Sequence, residues 1–215
     1  GREPSQAGLF QLPATVAALV AALVAGNVMR RLGRGPVVAG GLLAIGVGMA
    51  GIAFVLDSSV YLAFAIPLFL IGAGDGLALT IASDTVLAVA PRDRAGAASA
   101  VSETGYELGT ALGIALLGSI LTAVYQATLR LPDGLPAEVA RAAQQSPGEA
   151  FEAMAALPPA LVTSLTDAVH VAFTDALQVT TWVGAAVLVL GAGAAWRLLP
   201  GQNAAVNEMV GHAAE

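Results

Sequence analysis

The chain has 215 residues, 57% of them hydrophobic and only 11% charged. Soluble domains carry nearer a quarter charged residues, so this balance excludes an ordinary soluble fold and points to a membrane protein. There is no cysteine, which excludes disulfides and cysteine-ligated metals. The formal charge of −6 arises mostly in loops, and nothing favours nucleic acid as a partner.

The predicted class is an all-α integral membrane protein. Five stretches can cross ~30 Å of hydrocarbon as helices of about 20 residues. Four of them fall within residues 1–124, at about 7–29, 37–56, 61–89 and 96–124. No basic n-region with a short apolar run opens the chain, so no signal peptide is read. GREPSQAGLF reads as a loop entering a helix, and further sequence is expected before it. The first helix has only Gln11, Thr15 and Asn27 as polar interior residues, and ends in the basic turn Arg30-Arg31-Leu32-Gly33-Arg34.

The second helix is rich in glycine. Its Gly46-Val-Gly48-Met-Ala-Gly51 matches a dinucleotide-binding pattern, but that motif acts between a strand and a helix of a soluble unit. Inside an apolar run it reads as a surface where helix backbones approach closely. Asp57-Ser58-Ser59 forms a turn. The third helix carries Pro67 and the cluster Gly72-Ala-Gly74-Asp75-Gly76, with Asp84 near its end. Asp75 sits near mid-helix, where an aspartate costs about 2.5–3.5 kcal/mol on insertion scales. An ionisable group at that depth is expected to face a cavity or a partner, and the flanking glycines leave room for the helix to unwind there. Asp84 lies close enough in sequence to pair with Arg92 or Arg94 of the next turn.

The fourth helix carries Glu103 and Glu107 on one face. At ~100° per residue, Ser99, Glu103, Tyr106, Glu107 and Thr110 fall within a sector about 100° wide. Gly105, Gly109 and Gly113 fall about 160–240° further round from Glu107. The glycines are expected to pack on a neighbouring helix and the acids to face a cavity. Two adjacent carboxylates resist joint ionisation, so the pair is suited to hold a proton and release it on exposure to water.

Residues 125–170 form a polar loop with one or two short exposed helices. The last membrane helix is expected over 171–199 with a helical lead-in from Ala160, followed by a tail at 200–215. Arg30, Arg31, Arg34, Arg92, Arg94 and Arg197 fall on one side; Arg2, Arg130 and Arg141 fall on the other. Positive charge marks the cytoplasmic side, so the basic turns and the tail are expected inside and the 125–170 loop outside. Trp182 and Trp196 read as interface anchors. His170 and His212 have no ligand-spaced partner, and no nucleophile triad, metal site or phosphate loop is present, so neither an enzyme nor a cofactor is expected.

These residues together resemble the carboxy-terminal part of a major facilitator superfamily transporter, nearest the fourteen-helix drug/proton antiporter branch. Gly26-Asn-Val-Met-Arg30-Arg31-Leu-Gly33-Arg34 resembles the second-half copy of that superfamily's Gly-x-x-x-Asp-Arg-x-Gly-Arg loop, with Arg30 where the acid is usual. Ala82-Ser-Asp84-Thr and the run from Arg94-Ala-Gly96 to Gly118-Ser-Ile-Leu are similar to the branch's closing signature, with Glu103 in its acidic position. The resemblance implies the last five of about fourteen helices and alternating access between two bundles. It implies exchange of hydrophobic, often cationic small molecules for protons across a bacterial plasma membrane, as in multidrug efflux and antibiotic resistance.

On this reading Glu103, Glu107 and Asp75 couple protons, and Asp75 and Tyr106 line the substrate cavity. Arg30, Arg31, Arg34, Asp84, Arg92 and Arg94 gate the cytoplasmic side, and Gly105, Gly109 and Gly113 pack helices. The expected partners are the lipid bilayer, protons, the substrate and the amino-terminal helices of the same transporter. Export of a self-made antibiotic is an alternative within the family; a non-transporting scaffold or inactive truncated product is the alternative outside it.

Overall fold

A computed structural model describes residues 4–56 and 61–199. The turn expected at Asp57-Ser58-Ser59, Arg2, and the tail at 200–215 with His212 lie outside the described residues. The helices are α1 (Pro4–Leu32), α2 (Arg34–Val55), α3 (Tyr61–Val89), α4 (Ala95–Thr128), α5 (Ala137–Gln145), α6 (Pro147–Ala153) and α7 (Pro159–Leu198). A 3-10 turn at Arg92–Arg94 precedes α4, and no strand occurs among the described residues. By length and composition, α1, α2, α3, α4 and α7 can each cross a membrane.

The chain divides into two compact units, residues 1–109 with 184–215, and residues 110–183. In the first unit α3 lies between α1 and α2, and the end of α7 lies against α2. The contacts are made by backbone rather than by large side chains. A Cβ added at Gly72 or Gly76 would overlap the carbonyl oxygens of Ala14 or Ala18 on α1. A Cβ at Gly41 would lie 2.7 Å from the carbonyl oxygen of Gly74, and one at Gly48 the same distance from that of Pro67. Gly46 of α2 faces Ala185 and Leu188 of α7. The glycines of the dinucleotide-like pattern are therefore packing positions: without a hydrophobic drive between helices in lipid, close van der Waals approach holds them together.

The helix α3 runs unbroken through Gly72–Gly76, which corrects the expectation of local unwinding. The reason is that these glycines are filled by neighbouring backbone, so their conformational freedom goes unused. Large apolar side chains point outward along the helices, among them Leu23, Phe54, Ile66 and Leu190. That surface would be costly in water and is ordinary against lipid. The hydroxyls of Thr15, Thr80, Thr85, Thr104 and Thr181 each donate to the carbonyl four residues back, so they are satisfied within their own helix.

The second unit joins the end of α4 and the start of α7 to α5 and α6 around a small core of its own. Tyr125, Val139, Ala143, Ala150, Leu165 and Val169 are among its buried residues. The short helices expected to be exposed thus bury one face each. Ser146 starts α6: its hydroxyl accepts from the backbone N–H of Glu149 at 3.2 Å, with Pro147 at the first helical position.

Candidate functional site

The basic end of the first unit is built on a one-residue turn. Gly33 has φ 88° and ψ 167°, a region essentially reserved for glycine, and its N–H donates to Met29 at 2.8 Å. Arg30 and Arg31 close α1, where cations favour the carboxy-terminal dipole, and Arg30 donates to the Asn27 side chain.

Arg34 opens α2, where a cation meets the positive end of the helix dipole. Asp84 offsets this: its carboxylate accepts from the Arg34 guanidinium at 3.3 Å. The pair forms because Val37 and Val38 of α2 pack with Ala25 of α1 and Ile81 of α3, which brings the start of α2 beside the end of α3. This corrects the pairing of Asp84 with Arg92 or Arg94. Arg94 instead approaches Asp93 at 3.9 Å, both side chains being exposed. The Arg34–Asp84 side chains are one third and one half exposed, so their attraction is screened and contributes under ~1 kcal/mol. The Arg34 Nε is buried and finds no acceptor among the described residues.

Asp75 is exposed on α3. At ~100° per residue it lies between Gly72 and Gly76, which face α1, and Gly74 and Ala78, which face α2. Glu103, Tyr106 and Glu107 are exposed on α4, whose single buried residue is Tyr125. No salt bridge joins Asp75, Glu103 or Glu107 to another described residue. The structure thus brings Arg34 and Asp84 together and leaves the three membrane acids open. A Cβ at Gly105, Gly109 or Gly113 would meet nothing within 4 Å, so their expected packing partner is not among the described residues. The ladder also drifts: each step of four residues advances it about 40°, so opposition to the carboxylates holds at Gly105 and Gly109 and fades at Gly113.

Sequence reasoning missed Tyr125. Its hydroxyl donates to the Ala143 carbonyl at 2.8 Å, and Gln126 Nε2 donates to that of Gln144 at 3.2 Å. The signal was present in the spacing of Val139 with Ala143, Ala150 with Met154, and Leu165 with Val169, Ala172 and Ala176, all one-faced at helical period. A hollow of about 430 Å³ in the second unit, lined by Thr128, Arg130, Asp167, Val171 and Asp175 among others, holds none of the expected site residues.

A family model described as Major Facilitator Superfamily matches residues 2–130. The chain is 37% identical to the multidrug efflux pump LfrA of Mycolicibacterium smegmatis over 90% of this chain and 38% of that protein. It is 33% identical to the methyl viologen resistance protein SmvA of Salmonella typhimurium, over 91% of this chain and 40% of that protein. It is 26% identical to the tetracenomycin C resistance and export protein of Streptomyces glaucescens, over 91% and 38%. The chain spans about two fifths of the length of these relatives. Their similarity extends beyond residue 130, where the family match ends.

Proposed function

Because this chain belongs to the major facilitator superfamily, we propose that it is the carboxy-terminal part of a proton-coupled exporter of hydrophobic, often cationic small molecules. The observation that carries the proposal is the pair Glu103 and Glu107, four residues apart and exposed on a helix apolar enough to cross a membrane. Similarity to LfrA, a multidrug efflux pump, and to SmvA, a methyl viologen resistance protein, supports the substrate class.

On this reading a proton rests on the Glu103–Glu107 pair while the open face of α4 is covered, and leaves when water reaches it. An intramembrane acid facing a cavity is a functional group by default, and Asp75 and Tyr106 are assigned to substrate contact. Arg34 and Asp84 form a screw-down contact on the cytoplasmic side, made in one conformational state and broken in the other, with Arg30, Arg31, Arg92 and Arg94 beside it. Gly105 and Gly109 accept a helix from the amino-terminal bundle of the same transporter. The arginine asymmetry supports the basic turns and the tail on the cytoplasmic side of the plasma membrane and residues 125–170 outside. Similarity to the tetracenomycin C export protein favours a second reading, removal of an antibiotic made by the same cell.

The test is export of a fluorescent hydrophobic cation from cells or vesicles under an imposed proton gradient. Glu103→Gln and Glu107→Gln should each reduce proton-driven export to background while the amount of protein in the membrane stays unchanged. Unaltered export in both variants removes the carboxylates from the mechanism.

A further inference from the structure

Helix α4 has 34 residues and α7 has 40. At 1.5 Å per residue they are roughly 51 and 60 Å long, against ~30 Å of hydrocarbon. Each therefore has a surplus of several turns. The carboxy-terminal turns of α4 and the amino-terminal turns of α7 are built into the second unit, together with α5 and α6.

The junction is an end-capping arrangement. The last four carbonyls of a helix lack partners within it and need donors from elsewhere. In α5 the Ala142 carbonyl accepts from the backbone N–H of Ser146, the Ala143 carbonyl from Tyr125, and the Gln144 carbonyl from Gln126. Two of these three donors are side chains of α4, eighteen residues away in sequence. Tyr125 is 2% exposed and shares its core with Leu165, Val169 and Ala172 of α7. A single side chain thus bonds α5 through its hydroxyl while belonging to the same core as residues of α7. The bond is buried, so undocking would leave the Ala143 carbonyl unpaired or flood the core with water.

We infer that residues 131–158 are a folded strap, latched by Tyr125 and Gln126, that ties the end of α4 to the start of α7 so that these two ends move as one body. The strap remains docked throughout the working cycle. Tyr125 is a positioning residue: it acts through α5 on the spacing of α4 and α7. The statement about motion rests on the transport reading above; the statement about docking does not.

Two measurements on the full-length protein test it. The first is trypsin cleavage after Arg141, an exposed residue of α5, followed by mass on protein in detergent. Where opening is fast, cleavage tracks the population of the undocked form. Tyr125→Phe, which keeps the ring and removes the donor, should be cut about fivefold faster than the wild type, and Tyr125→Ala faster still. The second places cysteines at Gln126 and Gln144, with any other cysteine replaced, and joins them by a short bis-methanethiosulfonate linker that reductant removes. The linked protein should export the fluorescent cation within twofold of the unlinked protein, and the same link in a Tyr125→Ala background should restore protection of Arg141.

Equal cleavage of wild type and both Tyr125 variants overturns the latch. Export lost on linking and regained with reductant overturns the fixed strap and shows a lid that must open. Should Tyr125→Ala fail to reach the membrane, Tyr125→Phe and the linked protein decide alone. A wild-type protein that exports nothing removes the transport reading, while the cleavage measurement still judges the latch.

Discussion

Gly40 and Gly41 are neighbours on α2 with opposite surroundings, so alanine at each separates packing from helix propensity. A Cβ at Gly40 meets nothing within 4 Å; a Cβ at Gly41 lies 2.7 Å from the Gly74 carbonyl oxygen and 3.0 Å from the Ala78 Cβ. Ordinary contact begins near 3.4 Å, so Gly41→Ala must push α2 and α3 apart by several tenths of an ångström. A radial gap of 0.5–1 Å forfeits about a quarter to a half of each atom pair's ~0.1–0.2 kcal/mol. If the seam holds about as many atom pairs as one buried leucine, the loss is about 3 kcal/mol, at the upper end of over-packing costs of ~1–3 kcal/mol. Replacing glycine by alanine inside a helix returns about 0.5–1 kcal/mol. Gly41→Ala should therefore lose about 2 kcal/mol, and Gly40→Ala should gain slightly. Thermal melting of the detergent-solubilised protein should place Gly41→Ala several degrees below Gly40→Ala. A Gly41→Ala protein that melts with or above Gly40→Ala would mean that α2 and α3 do not meet backbone to backbone.

Gly33→Ala should cost about 1–3 kcal/mol, because φ 88° with ψ 167° strains any residue with a Cβ; melting and membrane yield should both fall. For the ion pair, Arg34→Ala and Asp84→Asn should couple by less than ~1 kcal/mol in a double-mutant melting cycle, given their exposure. Export should fall similarly in either single variant, and the double variant should be no worse than the singles. Strict additivity in export would show that the two act independently.

The sequence made the five long helices plain because length and apolar composition decide them, and it marked Gly46, Gly48 and Gly51 as packing positions because an apolar run leaves glycine little else to do. Asp84 shows where that kind of reading stops. Proximity in the chain favoured Arg92 and Arg94, but its partner is chosen by the alignment of α2 with α3, which depends on contacts at Val37, Val38 and Ile81. The core of the second unit was hidden for a different reason. Ala143 and Ala150 are fully buried, yet alanine carries so little hydropathy that a proline-broken polar loop conceals it. Glycine misled in the opposite sense at Gly72–Gly76, where flexibility was available and close packing used the space instead. The roles of Asp75, Glu103 and Glu107 depend on what covers them, and the described residues leave them open.

The single residue between α1 and α2 gives this pair of helices no slack. Consecutive Cα atoms are 3.8 Å apart, so neither helix can rise or sink against the other at that end by more than a small fraction of a turn. Gly33 is thus the point about which any change in their mutual angle would turn. With 22 residues, α2 is roughly 33 Å long, so a tilt of about 10° at the basic end swings its far end by about 6 Å. On the transport reading proposed above, a change at the Arg34–Asp84 contact beside Gly33 would be magnified along α2 toward its far end.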